Sequence, residues 1–151
     1  MKIILDSNLL LLFVVGKASC KYIPMHKKLK SYTEEDFVLL CNLLSAATEV
    51  VVTPNTLTET SNLAAYISDP ALTHIFEVLQ LLIKSPATTE CLVESELAAA
   101  RPEFIRLGLT DSALLHIAGD SHLLLTADVG LYLAALKDGK KAENFNHHRN
   151  M

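Results

Sequence analysis

The sequence predicts an α/β protein, a three-layer α/β/α arrangement with a mainly parallel central sheet, and three observations carry that reading. Short, unbroken apolar runs recur at Ile3 to Leu5, Val50 to Val52 and Leu123 to Leu125. Longer stretches with helical apolar spacing alternate with them. An acidic residue stands just past each run or near the start of the following helix. Strands covered on both faces read as continuous apolar runs, and strands that alternate with helices pair in parallel.

Lys2 to Leu5 reads as a buried strand that stops at Asp6, after which Asn8 to Val15 turns into a helix. Gly16 and Pro24 break the periodicity, so residues 17–31 are expected to be a basic, irregular excursion near the crevice. Thr33 is placed to cap a helix over Glu34 to Ala47; Asp36 stands where Glu or Gln would complete a capping box, which makes the box imperfect. Glu49 to Thr53 is a second buried strand, closed by Pro54, with Asn55 as a possible helix cap and Glu59 near that helix's start. Leu72, Ile75, Phe76, Leu79 and Leu82 or Ile83 form one face of a helix ended by Ser85-Pro86, with a second subunit as candidate partner.

Thr88 to Val93 reads as a short strand, Glu94 to Ala100 as a helical turn or two, and Arg101-Pro102 as a break. Gly108 ends that segment; Thr110 is placed to cap the next helix, with Asp111 in its first turn and Leu114, Leu115 and Ala118 on its apolar side. His122 to Thr126 is a buried strand with Asp128 just beyond it, followed by a helix over Val129 to Lys137 and a last short strand at Glu143 to Phe145. No internal repeat is visible.

A length of 151 residues fits a single domain. A chain of this size buries about 70% of its unfolded surface, enough for a core without disulfides. Half the residues are hydrophobic but only 6% aromatic, so Leu and Ala must fill the interior. Cys20, Cys41 and Cys91 are odd in number and lack C-x-x-C spacing, which suits free, apolar thiols in a reducing cytoplasm. The run Leu9 to Val15 ahead of Ala18-Ser19-Cys20 imitates a secretory leader, but Asp6, Asn8 and Lys17 interrupt it. It falls well short of the roughly 20 apolar residues of a membrane span, so no membrane association is expected. A net charge of -4 argues against broad attraction to phosphate backbones, although Lys17, Lys21, Lys27, Lys28 and Lys30 concentrate positive charge in one segment that could hold a nucleic-acid strand.

The chemistry rests on Asp6, Glu59, Asp111 and Asp128. In an open α/β sheet the carboxyl ends of the strands face one crevice, so acids just beyond those ends converge although the chain separates them. At ~5 Å and an effective dielectric of ~20, each like-charged pair costs on the order of 3 kcal/mol, to be met by protonation, a cation partner or a bound metal. Mg2+ or Mn2+ is the natural relief, because both prefer oxygen ligands. Asp6 and Asp128 are the leading ligands, with Asp111 and Glu59 as ligands or water-positioning groups, and Asn8 and Thr126 offer neutral hydrogen bonds. Such a site can activate water against a phosphodiester. Asp111 and Glu59 could instead merely complement helix dipoles, and Asp128 could be only a cap.

Four strings then resemble the PIN-domain family of metal-dependent ribonucleases: Ile-Ile-Leu-Asp6-Ser-Asn8, Thr53-Pro54 leading to Glu59 and Asn62, Leu109-Thr110-Asp111 followed by Ala118, and Leu124-Leu125-Thr126-Ala127-Asp128. They occur in the family's order and span the chain to about Asn146, leaving the Lys17 to Lys30 segment and the tail at 147–151 without counterparts. The resemblance implies a PIN fold, Mg or Mn dependence, endoribonuclease activity on RNA, a homodimer and, in toxin-like members of toxin-antitoxin modules, a protein antitoxin. A haloacid-dehalogenase-like phosphatase would need an acid two residues after Asp6, where Asn8 stands. A PIN-like module that binds RNA or protein without cutting is the non-enzymatic alternative. His147 and His148 are read as surface residues of a mobile tail, and His116 and His122 as helix and turn packing.

Overall fold

The computed structural model describes residues 1–119 and 121–150; Asp120 and Met151, the last residue of the expected tail, lie outside them. Strands β1 (Lys2–Leu5), β2 (Glu49–Val52), β3 (Thr88–Glu90), β4 (His122–Thr126) and β5 (Ala142–Asn144) alternate with helices α1 (Ser7–Ala18), α2 (Tyr22–Met25), α3 (Glu34–Leu44), α4 (Pro54–Ala64), α5 (Ala71–Lys84), α6 (Ser95–Ala99), α7 (Phe104–Leu107), α8 (Leu109–Ile117), α9 (Val129–Lys137) and α10 (Phe145–Arg149). The sheet is five-stranded in the order β3-β2-β1-β4-β5, and every pairing is parallel.

Side-chain alternation divides the core into two layers. Ile3, Leu5, Val52 and Leu125 face α1, α3, α5 and α10, whereas Ile4, Val51 and Leu124 face α8 and α9. Helix α1 is buried around most of its circumference, between the sheet and α3, α4 and α5. That position accounts for its almost uniformly apolar sequence, since a helix so largely enclosed has no polar stripe; Asn8 and Lys17 are its exposed residues. The leader-like run Leu9 to Val15 is thus a packed core helix. No described helix is long and apolar enough to cross a membrane.

Several local expectations change. Gly16 does not end α1, which continues to Ala18, because it is where the Phe37 ring of α3 crosses; a Cβ there would overlap the ring. The expected loop at 17–31 therefore begins with helix and holds the short α2. The capping box of α3 is complete: Thr33 Oγ1 accepts from Asp36 N at 3.2 Å and Asp36 Oδ2 accepts from Thr33 N at 2.9 Å, so the shorter acid closes it. This helix ends at Leu44, short of Ala47. Thr53, not Asn55, caps α4, with Pro54 in the first turn where a missing N–H costs nothing. Gly108 at φ +82° caps α8, which starts two residues earlier than a Thr110 cap would allow.

Strand β3 is confined to Thr88–Glu90, and β5 is shifted by one residue, with Phe145 opening α10. Ile75 of α5 is buried against the α1 core and Leu79 is also buried within this chain, so that part of the face needs no second subunit. The three cysteines are free but only half-buried. The tail is tied down: His147 meets the Tyr132 ring edge-on at 5.5 Å, and His148 Nε2 lies 2.7 Å from Glu143 Oε1.

Gly16→Ala tests the α1–α3 crossing. Helix propensity alone favours Ala by up to ~1 kcal/mol. The overlap with Phe37 is expected to reverse the sign and destabilise the protein by about 1–3 kcal/mol in urea unfolding, with the penalty shrinking in a Phe37→Ala background.

Candidate metal centre

The strand order sets the place of the site. From β1 the chain proceeds outward to β2 and β3, then returns to the other side of β1 as β4. Helix α1, leaving β1, packs on one face, and α9, leaving β4, packs on the other. The two connections diverge and leave a crevice between the carboxyl ends of β1 and β4, the switch point at which open α/β sheets bind ligands. Asp6 and Asp128 flank it.

Register does the fine placement. Leu5 pairs with Leu125, so Asp6 comes beside Thr126. The Thr126 hydroxyl and Ala127 N, the latter at 3.0 Å, both donate to Asp6 Oδ2, while Leu9 N donates to Oδ1 at 2.9 Å. Asp6 is thereby the N-cap of α1 and is 4% exposed. Burial pushes its carboxyl above the usual range; these three hydrogen bonds oppose the shift and the charge of Asp128 adds to it. Asp128 caps α9, accepting from Leu131 N at 3.0 Å through Oδ1, and its own N–H donates to Thr126 Oγ1 at 2.9 Å. Thr126 thus links both acids, a stronger role than a neutral contact nearby.

Asp111 lies in the first turn of α8. Its carboxyl is pushed up to about 7, first by desolvation and then by the charges of Asp6, Asp128 and Glu59, every contribution acting in the same direction. All four expected acids therefore share one electrostatic environment. Glu59 is exposed on α4 and lines a polar cleft of about 370 Å3 with Asn55, Thr58, Asn62 and Thr110. That cleft joins α4 to the start of α8 and brings the expected supporting residue Asn62 beside Glu59. Asn8 is exposed in the first turn of α1.

A larger groove, about 850 Å3, lies between α4 and α5 and is mostly apolar; none of the four acids lines it. The smaller polar cleft is the one that contains an expected acid, Glu59, whose charge acts on Asp111. Among the described residues, no three His, Cys, Asp or Glu side chains stand as a ready-made ligand set. The carboxylates share a field without forming a closed cage, an arrangement compatible with an ion that keeps part of its water shell. Ser7 Oγ and Thr60 Oγ1, chain neighbours of Asp6 and Glu59, are buried without a hydrogen-bond partner among the described residues. Buried hydroxyls of this kind are commonly satisfied by ordered water.

The basic segment separates from this site at its start. Lys17 is eleven residues along α1 from Asp6, about 16 Å by helical rise. Lys28 lies over the Tyr66 ring at 4.3 Å and Lys30 donates to Pro24 O at 2.8 Å, while Lys21 and Lys27 are exposed. None of these contacts reaches the acids. The cation that does approach is Arg149, whose hydrogen-bonding partner Asn146 donates to Ala127 O at 3.1 Å. Both residues escaped the sequence reading; the spacing of Asn144, a helix cap, and Asn146 two residues on was the only available signal.

No family model matches this chain, and no curated protein or solved structure matches it significantly. Any assignment of activity must come from the site itself.

The raised Asp111 carboxyl makes stability depend on pH. The folded state binds its proton more tightly than the unfolded state, whose value is 3.8, so this group costs nothing below pH ~4 and its penalty grows until about pH 7. Asp111→Asn is expected to raise the metal-free Tm by several degrees at pH 8, corresponding to on the order of 3 kcal/mol, with no gain at pH 4. Thermal unfolding across that range measures the difference.

Proposed function

We propose that the chain is a Mg2+- or Mn2+-dependent endoribonuclease of the PIN type, hydrolysing RNA phosphodiester bonds at the crevice bounded by Asp6, Glu59, Asp111 and Asp128. The observation that carries the reading is the convergence at Asp111, whose carboxyl is pushed up to about 7 by desolvation and then by the charges of Asp6, Asp128 and Glu59. A divalent cation is the natural counter-charge. The donor set fits Mg2+ or Mn2+, being all oxygen, without the imidazole or thiolate that would favour softer metals.

Asp6 and Asp128 would be inner ligands: backbone N–H groups already orient both oxygens of Asp6 and Oδ1 of Asp128, with lone pairs remaining. Asp111 would complete the set on losing its proton. When bound, the ion lowers the pKa of a water and offsets charge on the phosphodiester. Glu59, exposed on the cleft rim, is placed to orient that water and accept a proton. Attack forms a bond from the water oxygen to phosphorus and breaks the P–O ester bond, and the leaving oxygen takes up a proton.

The lysines of residues 17–31 are the candidate cations for a strand, contacting phosphate without reading sequence. A homodimer and a protein antitoxin belong to the same family resemblance, and the open apolar groove between α4 and α5 is the surface in this chain that favours burial by such partners. The open ligand arrangement favours one competing reading, a PIN-like module that binds a metal and RNA but does not cut.

Incubation with total RNA separates these readings. Cleavage in Mn2+ or Mg2+, lost in chelator and lost in Asp6→Asn and Asp128→Asn at unchanged folding, is the expected result. The loss should exceed the ~10- to 100-fold typical of changes one shell away from a metal. Undiminished cleavage in both variants would reject the assignment, and metal binding without cleavage of any RNA would favour the binding module.

A further inference from the structure

Helix α10 reaches the acid crevice by a chain of hydrogen bonds that none of the four acidic motifs contains. Arg149 divides its guanidinium among three residues: Nε donates to Asp36 Oδ1 at 3.0 Å, Nη2 to Asp36 Oδ2 at 3.1 Å and to Ser31 O at 2.6 Å, and Nη1 to Asn146 Oδ1 at 3.0 Å. Its guanidinium also lies over the Tyr32 ring, 4.9 Å from the centroid. A guanidinium held at this many points has little freedom, and it fixes which way the Asn146 amide faces.

With Oδ1 engaged by Arg149, Nδ2 of Asn146 donates to Ala127 O at 3.1 Å. The same Ala127–Asp128 peptide is held at its other end, where Asp128 N donates to Thr126 Oγ1 at 2.9 Å. The preceding peptide is held by Ala127 N donating to Asp6 Oδ2 at 3.0 Å. Both peptide groups of the turn between the two acids are therefore pinned, and Asn146 supplies the only one of these anchors that comes from outside β1, β4 and their shared edge.

We propose that Asn146, oriented by Arg149, is a positioning residue of the acid site: it fixes the Ala127–Asp128 peptide and through it the separation of the Asp6 and Asp128 carboxylates. The inference rests on the reading of those carboxylates as a divalent-ion site. Groups that orient metal-binding carboxylates change metal affinity by roughly 10- to 100-fold when removed. Without the amide, the Ala127 carbonyl loses its partner and the turn is free to rotate Asp128 away from Asp6.

The test compares Asn146→Ala and Arg149→Lys with His148→Ala, a change on the same helix that removes a contact to Glu143 of β5 and does not touch the turn. In the metal-free protein, amide hydrogen exchange at Ala127 and Asp128 is expected to accelerate in Asn146→Ala and Arg149→Lys and not in His148→Ala. Calorimetric titration with Mn2+ is expected to show about 10- to 100-fold weaker binding in Asn146→Ala, a smaller loss in Arg149→Lys, and none in His148→Ala. Cleavage by Asn146→Ala should recover towards the wild-type rate at saturating Mn2+. Wild-type exchange and Mn2+ affinity in both Asn146→Ala and Arg149→Lys, whatever their Tm, would overturn the proposal and leave α10 a plain latch. If the wild-type protein binds no Mn2+, the divalent-ion reading itself fails, and this inference with it; that outcome is distinct because the exchange data still report on the turn.

Discussion

Placing a carboxylate at the dry end of the central strand is the constraint around which the rest of the structure is organised. Asp6 follows three buried apolar residues and is itself almost inaccessible, so it must be met by donors or lose its charge. The fold supplies donors from two directions, the first turn of α1 and the edge of β4. The donors from β4 are available only if that strand lies next to β1 in its observed register. The order of the sheet and the ionisation of one side chain are therefore coupled.

The remaining acids extend that problem. Asp128 is affordable because it is exposed and caps α9, and Glu59 because it faces solvent. Asp111 has neither advantage in full, and its carboxyl is raised first by desolvation and then by the charges of the other three acids. A protein under no functional constraint could relieve this by an amide at position 111 at no cost to helix α8, whose first turn tolerates either. Retained local cost at a crevice is a pattern of functional sites, where the unfavourable state is resolved by a ligand.

Much of this was legible in the sequence because the strongest signals are short and local. Unbroken apolar runs marked β1, β2 and β4, and the acids beside them followed from the geometry of a parallel sheet. The three-layer architecture followed from the same alternation. What was not legible depended on contacts between distant segments. Gly16 looks like a helix stop until Phe37, twenty-one residues later, is seen to cross it. Asp36 looks like a poor capping-box residue, yet it closes the box and also receives Arg149, which helps explain why a short acid stands there. Asn146 and Arg149 carry no motif, and their relation to the acids exists only once α10 folds back across the end of α3.

The central claim is that the four carboxylates form one coupled site whose excess charge a divalent ion relieves. Its most direct test is calorimetric titration of the wild-type protein with Mn2+ at pH 7 in two buffers of different ionisation enthalpy, which counts protons released on binding. With the Asp6 and Asp111 carboxyls both raised before the ion arrives, net proton release on binding is expected at pH 7, diminishing as the pH is raised to 9. Saturable binding with no proton release at pH 7, or no binding at all, would contradict it.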